Sequence, residues 1–206
     1  MNCLLDLVAD YGHEDCAFTR LVQRLALIAP RIEVVLARVP PCDTVAAGYC
    51  VAHLALIPRP DGRVVVHDVA MPGADDAGMR RLCIGRTAAG AIVLGPNSGH
   101  AWSFVADHLS GGPYYVEVPA ESPHCGPERV AAAVVRAIRC HPHAVTGVVP
   151  RREIPPPPAT ATALAAGVER LATRHTSLCE PSRLAHRPPL GSSLPQRPAA
   201  AGSPSP

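Results

Sequence analysis

The sequence predicts an α/β fold: a layered domain with a central, mostly parallel sheet flanked by helices. Three observations carry this expectation. Short apolar runs rich in Val, Leu and Ile alternate with segments of helical spacing along the first 140 residues. Turn-forming Gly, Pro and Asp punctuate the runs. The chain of 206 residues is 48% hydrophobic and 17% charged, as a globular core requires.

The elements follow in order. Residues 4–9 read as a short buried strand that ends at Asp10-Tyr11-Gly12. Apolar residues then recur at 18, 21, 22, 25, 26 and 28, a helical spacing, and Pro30 stops that helix. Residues 32–37 form a second strand. Pro40-Pro41 break the chain, and Asp43 is a good N-cap for a helix over 44–56. A turn at 58–62 leads into a Val-rich strand over 63–70, which Met71-Pro72-Gly73 ends. Residues 82–84 and 91–94 are two short strands around a Gly-containing turn, and 114–118 is another strand. Pro127 at a first helical position, followed by Glu128, opens a helix to about residue 140.

After residue 148 the character changes. Residues 1–148 form the α/β domain, and 149–206 read as a linker and a largely disordered tail. Eleven of the 24 Pro fall in 151–206, a stretch without Phe, Tyr or Trp. The four prolines at 155–158 favour an extended polyproline conformation. Residues 159–173 have the composition of a weak helix.

Charge and cysteine narrow the function classes. A net charge of +2 is too small for a nucleic-acid footprint. It divides into −2 over residues 1–150 and +4 over 151–206, and every basic residue is Arg. The eight Cys contain no C-x-x-C pair, and several lie in apolar runs, so buried reduced thiols are expected. No apolar run approaches the roughly 18 residues of a membrane span. Asp6 and Asp10 sit where a signal peptide would be apolar. A cytoplasmic protein without membrane contact is the expectation.

In an α/β sheet, ligands gather at the carboxyl ends of the strands. Asp10, Tyr11 and Asp15 lie just past the first strand, where a carboxylate can accept two hydrogen bonds from a ribose diol. The same residues also suit a turn start and a helix cap. Gly95-Pro96-Asn97-Ser98-Gly99-His100 is a second polar loop after a strand, and turn chemistry alone accounts for its composition. No G-x-G-x-x-G or P-loop supports a dinucleotide or nucleoside-triphosphate site, and no G-x-S-x-G elbow anchors a hydrolase triad. Cys140, His141 and His143 read as incidental rather than as a metal site, and no metal is expected.

The order of the pieces resembles the N-terminal domain of the S-adenosylmethionine hydroxide adenosyltransferase family, which includes the fluorinases and chlorinases. Its opening Thr-Asp-Phe-Gly-x-x-Asp looks like Ala9-Asp10-Tyr11-Gly12-His13-Glu14-Asp15. Its Ile-Pro-Pro-x-Asp segment looks like Val39-Pro40-Pro41-Cys42-Asp43, followed by Ala46-Ala47. Its Pro-x-Gly-Thr-Val and Asp-Pro-Gly pieces are similar to Pro60-Asp61-Gly62-Arg63-Val64 and Met71-Pro72-Gly73. Its Pro-Asp-Asn-Gly loop looks like Pro96-Asn97-Ser98-Gly99. Its late Gly-Arg-Asp segment faintly resembles Gly126-Pro127-Glu128 before Ala131-Ala132-Ala133.

The resemblance implies nucleophilic substitution at C5′ of S-adenosyl-L-methionine, the substrate, with no further cofactor. Water gives adenosine and methionine, and halide gives a halogenated adenosine and methionine. It implies Asp10, Tyr11, Asp15, Cys42, Asn97 and Ser98 as substrate-binding residues. Arg80, or Arg81 beside it, and His124 are the catalytic candidates. The family's catalytic Asp falls on Met71, or on Ala70 if the alignment slides by one. The family's C-terminal β-barrel has no counterpart in the Pro-rich, aromatic-free 151–206, so a homo-trimer or a partner supplying the barrel is implied. The alternative expectation is a non-catalytic, degenerate relative that binds a nucleoside or a protein partner.

Overall fold

The computed structural model describes residues 3–57, 63–69, 81–116, 127–138 and 145–178. Its strands are β1 (Cys3–Ala9), β2 (Ile32–Arg38), β3 (Arg63–Asp68), β4 (Leu82–Arg86), β5 (Ile92–Pro96), β6 (Tyr114–Val116) and β7 (Val145–Val148). Its helices are α1 (Cys16–Ile28), α2 (Thr44–Leu56), α3 (Pro127–Ile138) and α4 (Thr162–Leu178). The fold is α/β, with one seven-stranded mixed sheet in the order β2-β1-β3-β5-β4-β6-β7. The pairs β1–β2, β1–β3 and β3–β5 are parallel, while β4 runs against both β5 and β6, and β7 against β6.

Alternation along the strands divides the core into two layers. Val8, Val65, Val69, Val93 and Tyr115 face Val51, Ala52 and Ala55 of α2 and Val168 of α4. Leu5, Leu7, Val64, Val66 and Leu94 face Leu21 and Leu25 of α1 and Val130, Ala131 and Val134 of α3. The β1 and β3 runs are buried on both faces, which is why they read as continuous apolar stretches. Asp43 caps α2 as expected, its Oδ1 accepting from the N–H groups of Val45 (3.1 Å) and Ala46 (2.9 Å).

A buried charge pair braces the sheet away from the carboxyl ends of its parallel strands. Arg63 Nε donates to Asp6 Oδ2, and Arg63 Nη1 donates to the Leu54 carbonyl oxygen at 2.8 Å. The two side chains are only 5% and 6% exposed. One guanidinium therefore ties β1 and β3 together and satisfies a carbonyl at the end of α2 that has no partner within the helix.

Two features differ from the expectation. Strand β7 is absent from the sequence reading because four residues with a central Gly carry no strand pattern; pairing with β6 makes it a strand. The second difference is at residue 148, which does not separate core from tail. Val149, Ile154, Ala161 and Val168 are buried in the α2 layer, and α4 packs on α2. The prolines at 155–158 lack N–H donors, so they lie along the domain without needing ladder partners. The remainder of the expected tail, 179–206, lies outside the described residues, as do the turn at 58–62 and Met71-Pro72-Gly73.

Candidate functional site at the carboxyl edge of the sheet

The chain leaves β1 for one edge of the sheet through α1 and β2, then returns past β1 to β3 through α2. The strand order reverses at β1, which lies between β2 and β3, and helices α1 and α2 lie on opposite faces of the sheet. This is a topological switch point, the place where open α/β sheets form their ligand crevice. Asp10 and Tyr11 follow β1 there, and Asp68 ends β3 in register with Ala9.

Side-chain hydrogen bonds knit this crevice. The Tyr11 hydroxyl donates to Asp68 Oδ2 at 3.0 Å across the switch point. Burial, reinforced by the Asp68 carboxylate, pushes the Tyr11 phenol well above its ordinary range, so it stays a donor. Asp10 Oδ2 accepts the Cys42 N–H at 3.0 Å, which anchors the loop between β2 and α2 to the end of β1. Cys42 sits in the left-handed region at φ 59°, a conformation unusual for a residue with a Cβ. Asp15 Oδ2 accepts the Gly12 N–H at 2.7 Å, closing the turn after β1. Asp15 is the N-cap residue of α1 by position, but its side chain serves this turn and makes no cap bond.

A second group of residues gathers where β5 ends and β4 begins. The Asn97 side-chain amide donates to the Glu153 carbonyl oxygen at 3.3 Å. Ser98 is fully buried, and its carbonyl oxygen accepts the Ala101 N–H at 3.0 Å. Arg81 precedes β4 at the same edge, with its guanidinium carbon 3.6 Å from the centroid of the Tyr115 ring. The Tyr115 hydroxyl donates to Glu153 Oε2. Burial, together with that carboxylate, raises the Tyr115 phenol above its usual range.

The structure thus brings Asp10, Tyr11, Asp15 and Cys42 together at the carboxyl ends of β1 and β3. Asn97 and Ser98 belong to the neighbouring loop and are engaged in supporting it. Arg80, His124 and Met71 lie outside the described residues, as do Cys140, His141 and His143. Among the described residues no group of three or more His, Cys, Asp or Glu is placed to hold a metal ion, and no helix is long and apolar enough to cross a membrane. Asp68 is the site residue that sequence reasoning missed. The available signal was the break from Val64-Val65-Val66 to His67-Asp68, where the strand ends three residues before Met71.

No family model and no curated protein matches the chain. Solved structures do. The chain is similar to a conserved hypothetical protein from Thermus thermophilus, with 23% identity and a TM-score of 0.56, over 75% of this chain and 61% of that one. It is also similar to an uncharacterized conserved protein from Thermotoga maritima, with 16% identity and a TM-score of 0.52, over 71% of this chain and 59% of that one. The chain therefore spans about three fifths of the length of each of these structures, and what it shares with them is the fold.

Proposed function

We propose that the protein uses S-adenosyl-L-methionine as the substrate of a nucleophilic substitution at C5′, forming adenosine and methionine with water, or a halogenated adenosine with halide. The observation that carries this reading is the convergence of Asp10, Tyr11 and Asp68 on the crevice between β1 and β3. Two carboxylates at one crevice favour a cationic ligand, and a sulfonium is one. Asp10 accepts hydrogen bonds from the ribose diol. Asp68 takes the place that the motif alignment gave to Met71, at the end of the Val-rich strand, and Tyr11 holds its carboxylate in orientation. The sulfonium is an excellent leaving group, so the remaining task is to align the nucleophile and strip it of water. Arg80 and His124 keep the roles that the resemblance implies. A second copy of the chain in a trimer, or another chain, encloses the base.

The test is incubation of the purified full chain with S-adenosyl-L-methionine, with and without chloride, assaying adenosine, chloroadenosine and methionine. Equimolar nucleoside and methionine are expected, reduced about tenfold or more in Asp10→Ala by the loss of a charged hydrogen-bond acceptor. Binding heat without product would assign the chain to the non-catalytic alternative. Neither heat nor product would overturn the substrate.

A further inference from the structure

His67 is a buried titratable group that the proposed chemistry does not use. It shares the α2 side of β3 with Val65 and Val69 and is fully buried. Neither ring nitrogen has a hydrogen-bond partner among the described residues, a costly state for a polar group. In register beside it are Val8 on β1 and, one position past the last β3–β5 pair, Gly95. Gly95 makes room for the ring, since any Cβ there would come within 2.5 Å of Nε2. The ring meets Trp102 edge to face, 5.6 Å between centroids.

Trp102 belongs to residues 97–108, where the regular structure is one three-residue 3-10 turn, Ala106–His108. Single-turn bonds hold this stretch: the Ala101 N–H donates to the Ser98 carbonyl oxygen at 3.0 Å, and the Ser103 N–H to that of His100 at 3.0 Å. Strands β1 and β5 are held by ladders and α2 by helical bonds, so 97–108 is the neighbour of His67 that moves at least cost. The same stretch carries the C-terminal segment. Asn97 Nδ2 donates to the Glu153 carbonyl oxygen at 3.3 Å and Ser103 Oγ to that of Pro155 at 2.6 Å. Asp107 pairs with Arg151 at 3.1 Å.

The charged groups around this layer are engaged with one another. On β1 and β3, Asp6 pairs with Arg63, and Asp68 accepts from Tyr11. On α2, Tyr49 packs against His53 and Phe104, and Cys50 feels Asp6 and Arg63. Within 97–108, His100 meets Ser103, and His108 faces Glu169 of α4 at 3.5 Å. Arg170 of α4 is exposed. Burial alone therefore lowers the His67 pKa from 6.5 to about 3. A form in which the ring meets water keeps the ordinary value. Each pH unit below 6.5 then favours that form about tenfold, until the closed form is itself protonated near pH 3.

We propose that residues 97–108, with the C-terminal segment bonded to them, form an acid-released cover whose proton sensor is His67. In the closed form an imidazolium has neither a partner nor water, so proton uptake lifts Trp102 and hydrates the ring. Asn97, Ser103 and Asp107 then release residues 151–155 together, while the β1–β3 ladder stays intact. The device is independent of the substrate.

Trp102 is the single tryptophan of the chain, so its emission reports the cover directly. Between pH 7 and 4 the full chain should show a reversible red shift of that emission while far-UV circular dichroism is unchanged. Hydrogen-exchange protection should fall together at the amides of Ala101, Ser103 and Ile154 and persist in β1 and β3. His67→Gln and His67→Phe, neutral throughout, should move the emission change at least one pH unit toward acid or abolish it. They differ in size and polarity, so whichever folds decides. His100→Gln and His108→Gln should keep the wild-type midpoint. Emission that changes only together with the dichroism would overturn the proposal. So would a wild-type midpoint in a folded His67 variant, or loss of the change in His100→Gln or His108→Gln.

Discussion

His67 lies wholly within the α2 layer, its ring edge-on to Trp102 at 5.6 Å, and neither ring nitrogen has a partner among the described residues. A Cβ on Gly95 would come within 2.5 Å of the ring, so only glycine leaves room for it. Burial lowers the His67 pKa from 6.5 to about 3. The unfolded chain therefore takes up a proton below pH 6.5 that the folded chain refuses. Stability should fall as the pH drops through that window, by about 2 kcal/mol between about pH 6.5 and 5 from this residue alone. His67→Leu should flatten that slope in denaturant titrations and raise stability near neutral pH by about 1 kcal/mol. An unchanged slope would mean that the imidazole has a partner in solution. A second residue-scale expectation concerns Cys42. Cys42→Gly should relieve its left-handed backbone without loosening the bond to Asp10, for a gain of about 1 kcal/mol in thermal unfolding. The Asp43 cap was legible in the sequence, since it works on the N–H groups two and three residues further on, whereas the bond of Asp10 to Cys42, 32 residues away, was not. His67 was not, because its cost comes from distant neighbours, Gly95 and Trp102.

Between elements, the Asp6–Arg63 pair joins positions 57 residues apart. Asp6 interrupts the apolar run of β1, and nothing local explains it; the explanation is the guanidinium one strand over. Asp6→Asn should leave a buried, uncompensated Arg63 and cost about 3 kcal/mol, read as a lower urea midpoint at constant m. Pairing it with Arg63→Met should recover most of that loss. If Asp6→Asn were neutral, the pair would not be the brace described here. The longer elements were legible because Val-rich runs and the helical period are local signals. Strand β7 and the direction of β4 were not, because three to five residues state neither a partner nor a polarity. Asp68 escaped for a related reason: the motif order put the end of the strand at Met71, and the hydrogen-bond ladder ends it at Asp68.

At the scale of the whole molecule, the α/β class was legible from alternation, and the division at residue 148 was not. Composition alone separates the Pro-rich segment from the domain. The structure joins them through Val149, Ile154, Ala161 and Val168, and through the bonds from Asn97, Ser103 and Tyr115 to residues 153–155. Ending the chain after residue 148 should therefore expose the α2 face, lower the thermal midpoint by several degrees and broaden the transition. An unchanged midpoint would restore the simple reading of a dispensable linker. The most direct test of the proposed site is calorimetric titration of S-adenosyl-L-methionine into the full chain and into Asp10→Ala. Binding by the wild type, weakened about tenfold or more in the folded variant, is expected if the β1–β3 crevice holds the ribose. Equal affinity in the two proteins, or no binding heat in either, would contradict it.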